Sequence, residues 1–251
     1  MFKFAISKSV LAGAVATLLP FGAMAGQNVT YSSGGADYEG YSAAAKGKSK
    51  GMVLVIHDWD GLTGYEEKRA DMLAAMGYDA FALDLYGKGN RPKEIGKRKA
   101  EMGKLYKNRE LMRNLILAGL AEGRKSFKGK AVVIGYCFGG AAALELARSG
   151  KASNVAGYAT FHGGLKTPEG QSYPKNTPPL LIAHGGADTS ITMDHVAGLS
   201  KDLEKAGVMY EMQVYSGAPH AFTVIGSKRY RKVADTQSWT AFAEFLKTNM
   251  N

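Results

Sequence analysis

Reactive sulfur is the scarcest resource of this chain: among 251 residues only Cys137 carries a thiol. One cysteine makes no internal disulfide, so the fold must rest on a packed core. Acidic side chains are the minority charge, 22 Asp and Glu against 32 Lys and Arg, for a net charge of +10. Past residue 25 no apolar run is long enough to span a bilayer, and no repeat, low-complexity tract or linker divides the chain. The sequence also lacks a G-x-G-x-x-G dinucleotide loop and a phosphate loop ending in Gly-Lys-Ser/Thr. Its five histidines have none of the spacing of a compact metal motif, and no RNA-reading aromatic signature occurs. No cofactor, no metal and no nucleic-acid partner is therefore expected.

What is present begins with an export pattern. Lys3 and Lys8 precede an apolar stretch from Val10 to Leu19, followed by Pro20 and Ala23-Met24-Ala25. A basic start, a short apolar run and an A-x-A site make residues 1–25 a signal peptide cleaved before Gly26. The mature chain is then secreted or periplasmic, with no stable membrane insertion. Its 226 residues, 26–251, suit a single α/β domain. Ten Lys and Arg against three Glu in residues 88–113 read as a solvated helical face rather than a nucleic-acid or lipid surface.

Short β-prone stretches on either side of Gly34-Gly35 predict a starting hairpin. Continuous apolar runs follow at 51–57, 79–86, 131–135, 155–163 and 179–188, with a last strand at 209–217. Such runs mark strands covered on both faces. Helical patterns at 64–77, within the basic segment as far as 123, after residue 137, at 194–207 and at 236–249 alternate with them. Strands alternating with helices predict a mostly parallel sheet with helices on both faces, the α/β class.

The stretch "VVIGYCFGG" holds the chemistry. It has the G-x-C-x-G-G spacing of a nucleophile elbow, with cysteine at the position usually held by serine. A strand–turn–helix bend at the carboxyl edge of a parallel sheet presents its central side chain where ligands bind. Backbone N–H groups at the following helix start favour a thiolate or an oxyanion. The partners expected of such an elbow come later in the order acid, then histidine. Asp188 lies in "AHGGAD" after a predicted strand, and His220 in "GAPHAF" after the last one. A neutral thiol is a poor nucleophile near neutral pH, so His220 would take its proton and Asp188 would hold the imidazole tautomer.

These residues resemble the dienelactone hydrolase (carboxymethylenebutenolidase) family, the cysteine branch of the α/β hydrolases. The likeness extends from about Val53 to Leu246 and includes the segment 56–87, "VIGYCFGGAAAL", "LIAHGGAD" and "APHAF". It implies an α/β-hydrolase fold with Cys137 as nucleophile, Asp188 as triad acid and His220 as base. It further implies backbone oxyanion donors at Trp59 and Phe138, and a thiol-modulating acid at Asp58. The family prototype has a longer Glu at that last position. A carboxylate-binding arginine is expected four residues beyond the histidine, where this chain has Val224. A second falls in the segment where Lys97, Arg98 and Lys99 are available. The implied activity is hydrolysis of a small ester or lactone through a thioester, with dienelactone itself disfavoured by Val224. Trp59, Tyr86, Phe161 and His162 are candidates for the pocket wall. A non-catalytic ligand-binding protein on the same fold is the alternative, and a thiol redox sensor is disfavoured by the missing second cysteine. Oligomeric state is not legible.

Overall fold

The computed structural model describes residues 26–250; the expected signal peptide lies outside them. The chain starts with an antiparallel hairpin, β1 (Gln27–Ser33) and β2 (Ala36–Ala43), turning at Gly34-Gly35. Then come β3 (Met52–Ile56), α1 (Gly64–Ala75), β4 (Asp79–Leu83), α2 (Ile95–Lys107) and α3 (Arg109–Ser126). The second half contains β5 (Ala131–Tyr136), α4 (Phe138–Ser149), β6 (Val155–Phe161), β7 (Leu180–Gly185), α5 (Met193–Ala206), β8 (Tyr210–Tyr215) and α6 (Lys232–Met250).

The eight strands form one sheet in the order β1-β2-β4-β3-β5-β6-β7-β8. The pairs from β4 to β8 are all parallel, while β1–β2 and β2–β4 are antiparallel, so β2 alone runs against the other strands. Alternation along each buried strand feeds two separate cores. Met52, Leu54 and Ile56 of β3 join α3, α4 and α5 on one face, while Val53 and Val55 join α1 and α6 on the other. Both faces are covered, which is why β3, β4 and β5 read as unbroken apolar runs.

Several boundaries differ from the sequence expectation in ways that matter for the site. β5 continues through Tyr136, so Cys137 follows the strand directly. β4 stops at Leu83, which frees Asp84-Leu85-Tyr86 as a loop. The basic segment makes two helices, broken at Asn108, whose side-chain oxygen accepts the Leu111 N–H at 3.0 Å. The closing helix starts at Lys232, earlier than expected. No helix of the described residues is long and apolar enough to cross a membrane.

Strand order reverses at β3, which lies between β4 and β5. The loops after β3 and β5 therefore emerge side by side at the carboxyl edge, where parallel α/β sheets bind ligands.

Candidate active site

The β5–α4 turn is built by close approach. Cys137 has φ 51° and ψ −112°, a conformation that costs a non-glycine residue on the order of 1–3 kcal/mol. Its N–H donates to Phe161 O at 3.1 Å, and its carbonyl accepts the Gly140 N–H at 3.1 Å. A Cβ at Gly135 would land on the Gly139 carbonyl, and one at Gly139 on the Ile56 and His57 carbonyls. The glycines of the motif thus let α4 sit directly against β5 and β3. The strained bend leaves Cys137 half-buried while its chain neighbours are buried.

Asp188 and His220 meet Cys137 from two further loops. The Asp188 side chain is fully buried. Its Oδ1 accepts the N–H groups of Ser190 and Ile191 at 2.8 and 2.9 Å, and its Oδ2 lies 2.7 Å from His220 Nδ1. Burial alone would raise this carboxyl's pKa, but the bonds from His220 and from the Ile191 and Ser190 amides outweigh it and lower the value. An ionised Asp188 makes Nδ1 the donor, leaving Nε2 as the acceptor facing the sulfur. His220 Nε2 lies 3.1 Å from Cys137 Sγ.

Burial pushes the Cys137 thiol well above the ordinary cysteine range, and the charges of Asp58, Asp188 and Asp60 push the same way against the Phe138 N–H. Asp58, the expected thiol-modulating acid, makes no hydrogen bond to the sulfur among the described residues. Its Oδ1 instead accepts the Asp60 N–H at 3.1 Å. Its own carboxyl is raised, first by burial and then by Asp60 and Glu66. The loop carrying Asp58 and Trp59 is fastened from below. Glu66 accepts from the Asp58 and Thr63 N–H groups at 3.3 and 2.9 Å, and His57 Nδ1 donates to Asp58 O at 2.6 Å.

The remaining expected residues are placed as follows. Phe138 begins α4 directly after the sulfur, and Trp59 follows Asp58 in the adjoining loop. Tyr86 donates to Trp59 O at 3.2 Å and stacks on Phe138 at 6.0 Å. Two pocket-wall expectations need correction. Phe161 is buried in the core, packed on Tyr136 at 5.0 Å and Phe242 at 5.7 Å, because β6 turns this position toward α6. His162 is fully buried behind His220, its ring 5.3 Å away, rather than facing a ligand. His57 and His184 are likewise buried, and His195 caps the start of α5 by accepting the Thr192 N–H. Arg98 lies over the Trp59 ring at 5.6 Å and pairs with Asp60 at 3.5 Å, so its guanidinium is engaged with the loop after β3.

Sequence reasoning missed Tyr106. It sits edge-on to Phe138 at 5.3 Å, and its hydroxyl is pushed up to about 12, chiefly by burial. Tyr106 also borders a cleft of about 420 Å³ whose walls include Arg109, Ala141, Lys166 and Ile191. Ala141 lies one helical turn beyond Cys137, and Ile191 belongs to the Asp188 loop, so two walls of the cleft come from the elements that carry Cys137 and Asp188. Nothing in a basic helical segment singles out a tyrosine that the fold carries to another element's turn.

Comparison with known proteins agrees with this architecture. The model of the "Dienelactone hydrolase family" matches residues 38–250. "Protein usf" of Aquifex pyrophilus is 29% identical over 88% of this chain and 98% of its own length. A protein of Aquifex aeolicus (strain VF5) named as a carboxymethylenebutenolidase is 28% identical over 89% and 98%. Among solved structures, a dienelactone hydrolase-like promiscuous phosphotriesterase from metagenomic libraries superposes with a TM-score of 0.82 at 26% identity, covering 91% of this chain and 99% of that one. A mostly parallel eight-stranded sheet, a glycine-lined turn between its fifth strand and the next helix, and a family match over most of the length lead to one conclusion: this chain has the α/β-hydrolase fold and belongs to the dienelactone hydrolase family.

Proposed function

We propose that this protein is an exported, cysteine-dependent hydrolase of carboxylic esters or lactones. The observation that carries the reading is the unbroken line Cys137–His220–Asp188, with contacts of 3.1 and 2.7 Å, at the carboxyl edge of the sheet. The family's relatives named as carboxymethylenebutenolidases support the same reaction class.

The resting thiol is neutral, because burial and three nearby carboxylates disfavour the thiolate. Attack therefore needs a base at the moment of reaction. His220 Nε2 takes the thiol proton as Sγ bonds to the substrate carbonyl carbon, and Asp188 stabilises the imidazolium that forms. Negative charge on the carbonyl oxygen falls to the N–H groups of Phe138 and Trp59. Collapse breaks the ester C–O bond, the leaving alkoxide takes the proton from His220, and a thioester remains on Cys137. Water, deprotonated by His220, then attacks the thioester and releases the acid and the free thiol. In a lactone both products are one molecule. The substrate's acyl part would lie in the cleft beside Tyr106, Arg109 and Lys166.

Turnover of p-nitrophenyl acetate and of a simple lactone by the wild type tests this. Cys137→Ala is expected to lower kcat by at least about 10³-fold, the scale of losing a triad member; equal turnover by the two proteins would overturn the mechanism. The export reading predicts a periplasmic or secreted product beginning at Gly26, and a full-length product retained in the cytoplasmic fraction would reject it.

A further inference from the structure

His220 lies in a loop between β8 and α6, and loops do not by themselves hold a ring to hydrogen-bonding tolerance. The fastening lies three residues on, at Thr223, which is fully buried. Thr223 Oγ1 is 2.7 Å from His162 Nε2 and 2.6 Å from the Tyr65 hydroxyl. Thr223 O accepts from Arg69 Nη2 at 2.8 Å. Arg69 is in turn paired with Asp235, whose second oxygen accepts from Tyr230.

His162 touches this loop three ways. It bonds Thr223, packs edge-on to Phe222 at 5.5 Å, and presents its ring to that of His220 at 5.3 Å and 68°. It sits at φ 43°, a left-handed conformation uncommon outside glycine, and its own N–H is held by Ala183 O at 2.8 Å. A fully buried imidazole in a strained backbone, with Nδ1 unpartnered among the described residues, is poor economy for packing alone.

We infer that His162, acting through Thr223, is a positioning residue for His220, holding the catalytic imidazole in line with both Asp188 and Cys137. The inference rests on the proposed role of His220. Burial, with the charges of His220 and Arg69, keeps His162 neutral, so it supports the ring without opposing the imidazolium that forms there. A misaligned base harms the chemical step more than substrate binding, and displacement of about 1 Å costs on the order of 10²-fold.

Four variants assayed with p-nitrophenyl acetate decide it. Thr223→Val keeps the shape but removes Oγ1, and His162→Phe keeps the ring but removes Nε2. Each is expected to lower kcat by about tenfold or more with KM within about twofold. Thr223→Ser and His162→Gln, which keep a bonding atom, are expected to recover most of the loss. Equal losses in the paired variants, a loss confined to KM, or unchanged kcat would overturn the inference. A second readout, the rate of Cys137 alkylation by iodoacetamide, does not depend on turnover. Slower alkylation in Thr223→Val than in Thr223→Ser supports positioning even if the wild type hydrolyses no ester, in which case the proposed function fails alone. If Thr223→Val loses its cooperative melting transition, His162→Phe against His162→Gln decides by the same two readouts.

Discussion

At the scale of single residues, the site is a set of groups pushed in opposite directions by their surroundings. Cys137 is held neutral by burial and nearby carboxylates, while Asp188 is held ionised by His220 and two backbone amides despite its burial. That difference is what the proposed mechanism asks of an acid and a nucleophile. Cys137, Asp188 and His220 were legible in the sequence because each follows a strand end in the family order. Phe161 and His162 were misread for a related reason. Both also lie at a strand end, but the direction of a side chain there depends on the pleat and on one left-handed φ, neither visible in residue type. A third carboxylate behaves differently again. Glu66 is fully buried and its pKa is raised from 4.5 to about 7, chiefly by burial. A raised carboxyl favours the protonated folded state, so its contribution to stability is complete below pH 4.5, falls as pH rises toward 7, and is level above. Melting temperatures should show this directly: Glu66→Gln gains on the wild type between pH 5 and pH 8, and a constant gap would contradict a buried ionisation.

At the scale of elements, the β5–α4 junction does the most. Its glycines are not there for flexibility but because helix and strands approach within the volume of a methyl group. Gly139→Ala must push a Cβ into the Ile56 and His57 carbonyls, both rigid strand-end backbone. Overpacking of this kind typically costs about 1–3 kcal/mol, and the displaced loop carries Trp59. The urea midpoint should fall accordingly, together with ester turnover; a variant with wild-type midpoint and rate would show that the contact is not tight. The same junction explains why the motif could be recognised: close approach on both sides of Cys137 demands glycine at positions 135 and 139. The basic segment was less legible. Its charges cover the outer faces of α2 and α3, and their apolar spacing could not show that Tyr106 would reach Phe138.

At the scale of the molecule, two cores are joined by the sheet, and α1 and α6 close one of them from opposite ends of the chain. Arg69 and Asp235 tie these helices across 166 residues, with Arg69 only 1% exposed and its guanidinium over the rings of Tyr65, Tyr136 and Trp239. Removing one member strands a buried charge, so Arg69→Ala should cost about 3–5 kcal/mol. Urea denaturation would measure it, and a loss below about 1 kcal/mol would mean that water reaches the pair. Local pattern determined the class of the fold: apolar runs of strand length alternating with helical periods leave few arrangements other than a covered parallel sheet. It determined the glycine-lined cysteine turn as well, because that turn is made from consecutive residues. What only the tertiary structure decided is what surrounds the sulfur. Tyr106, Thr223, Arg69 and the buried His162 act through contacts between distant segments, and such contacts are set by packing and register rather than by the chemistry of neighbours in the chain.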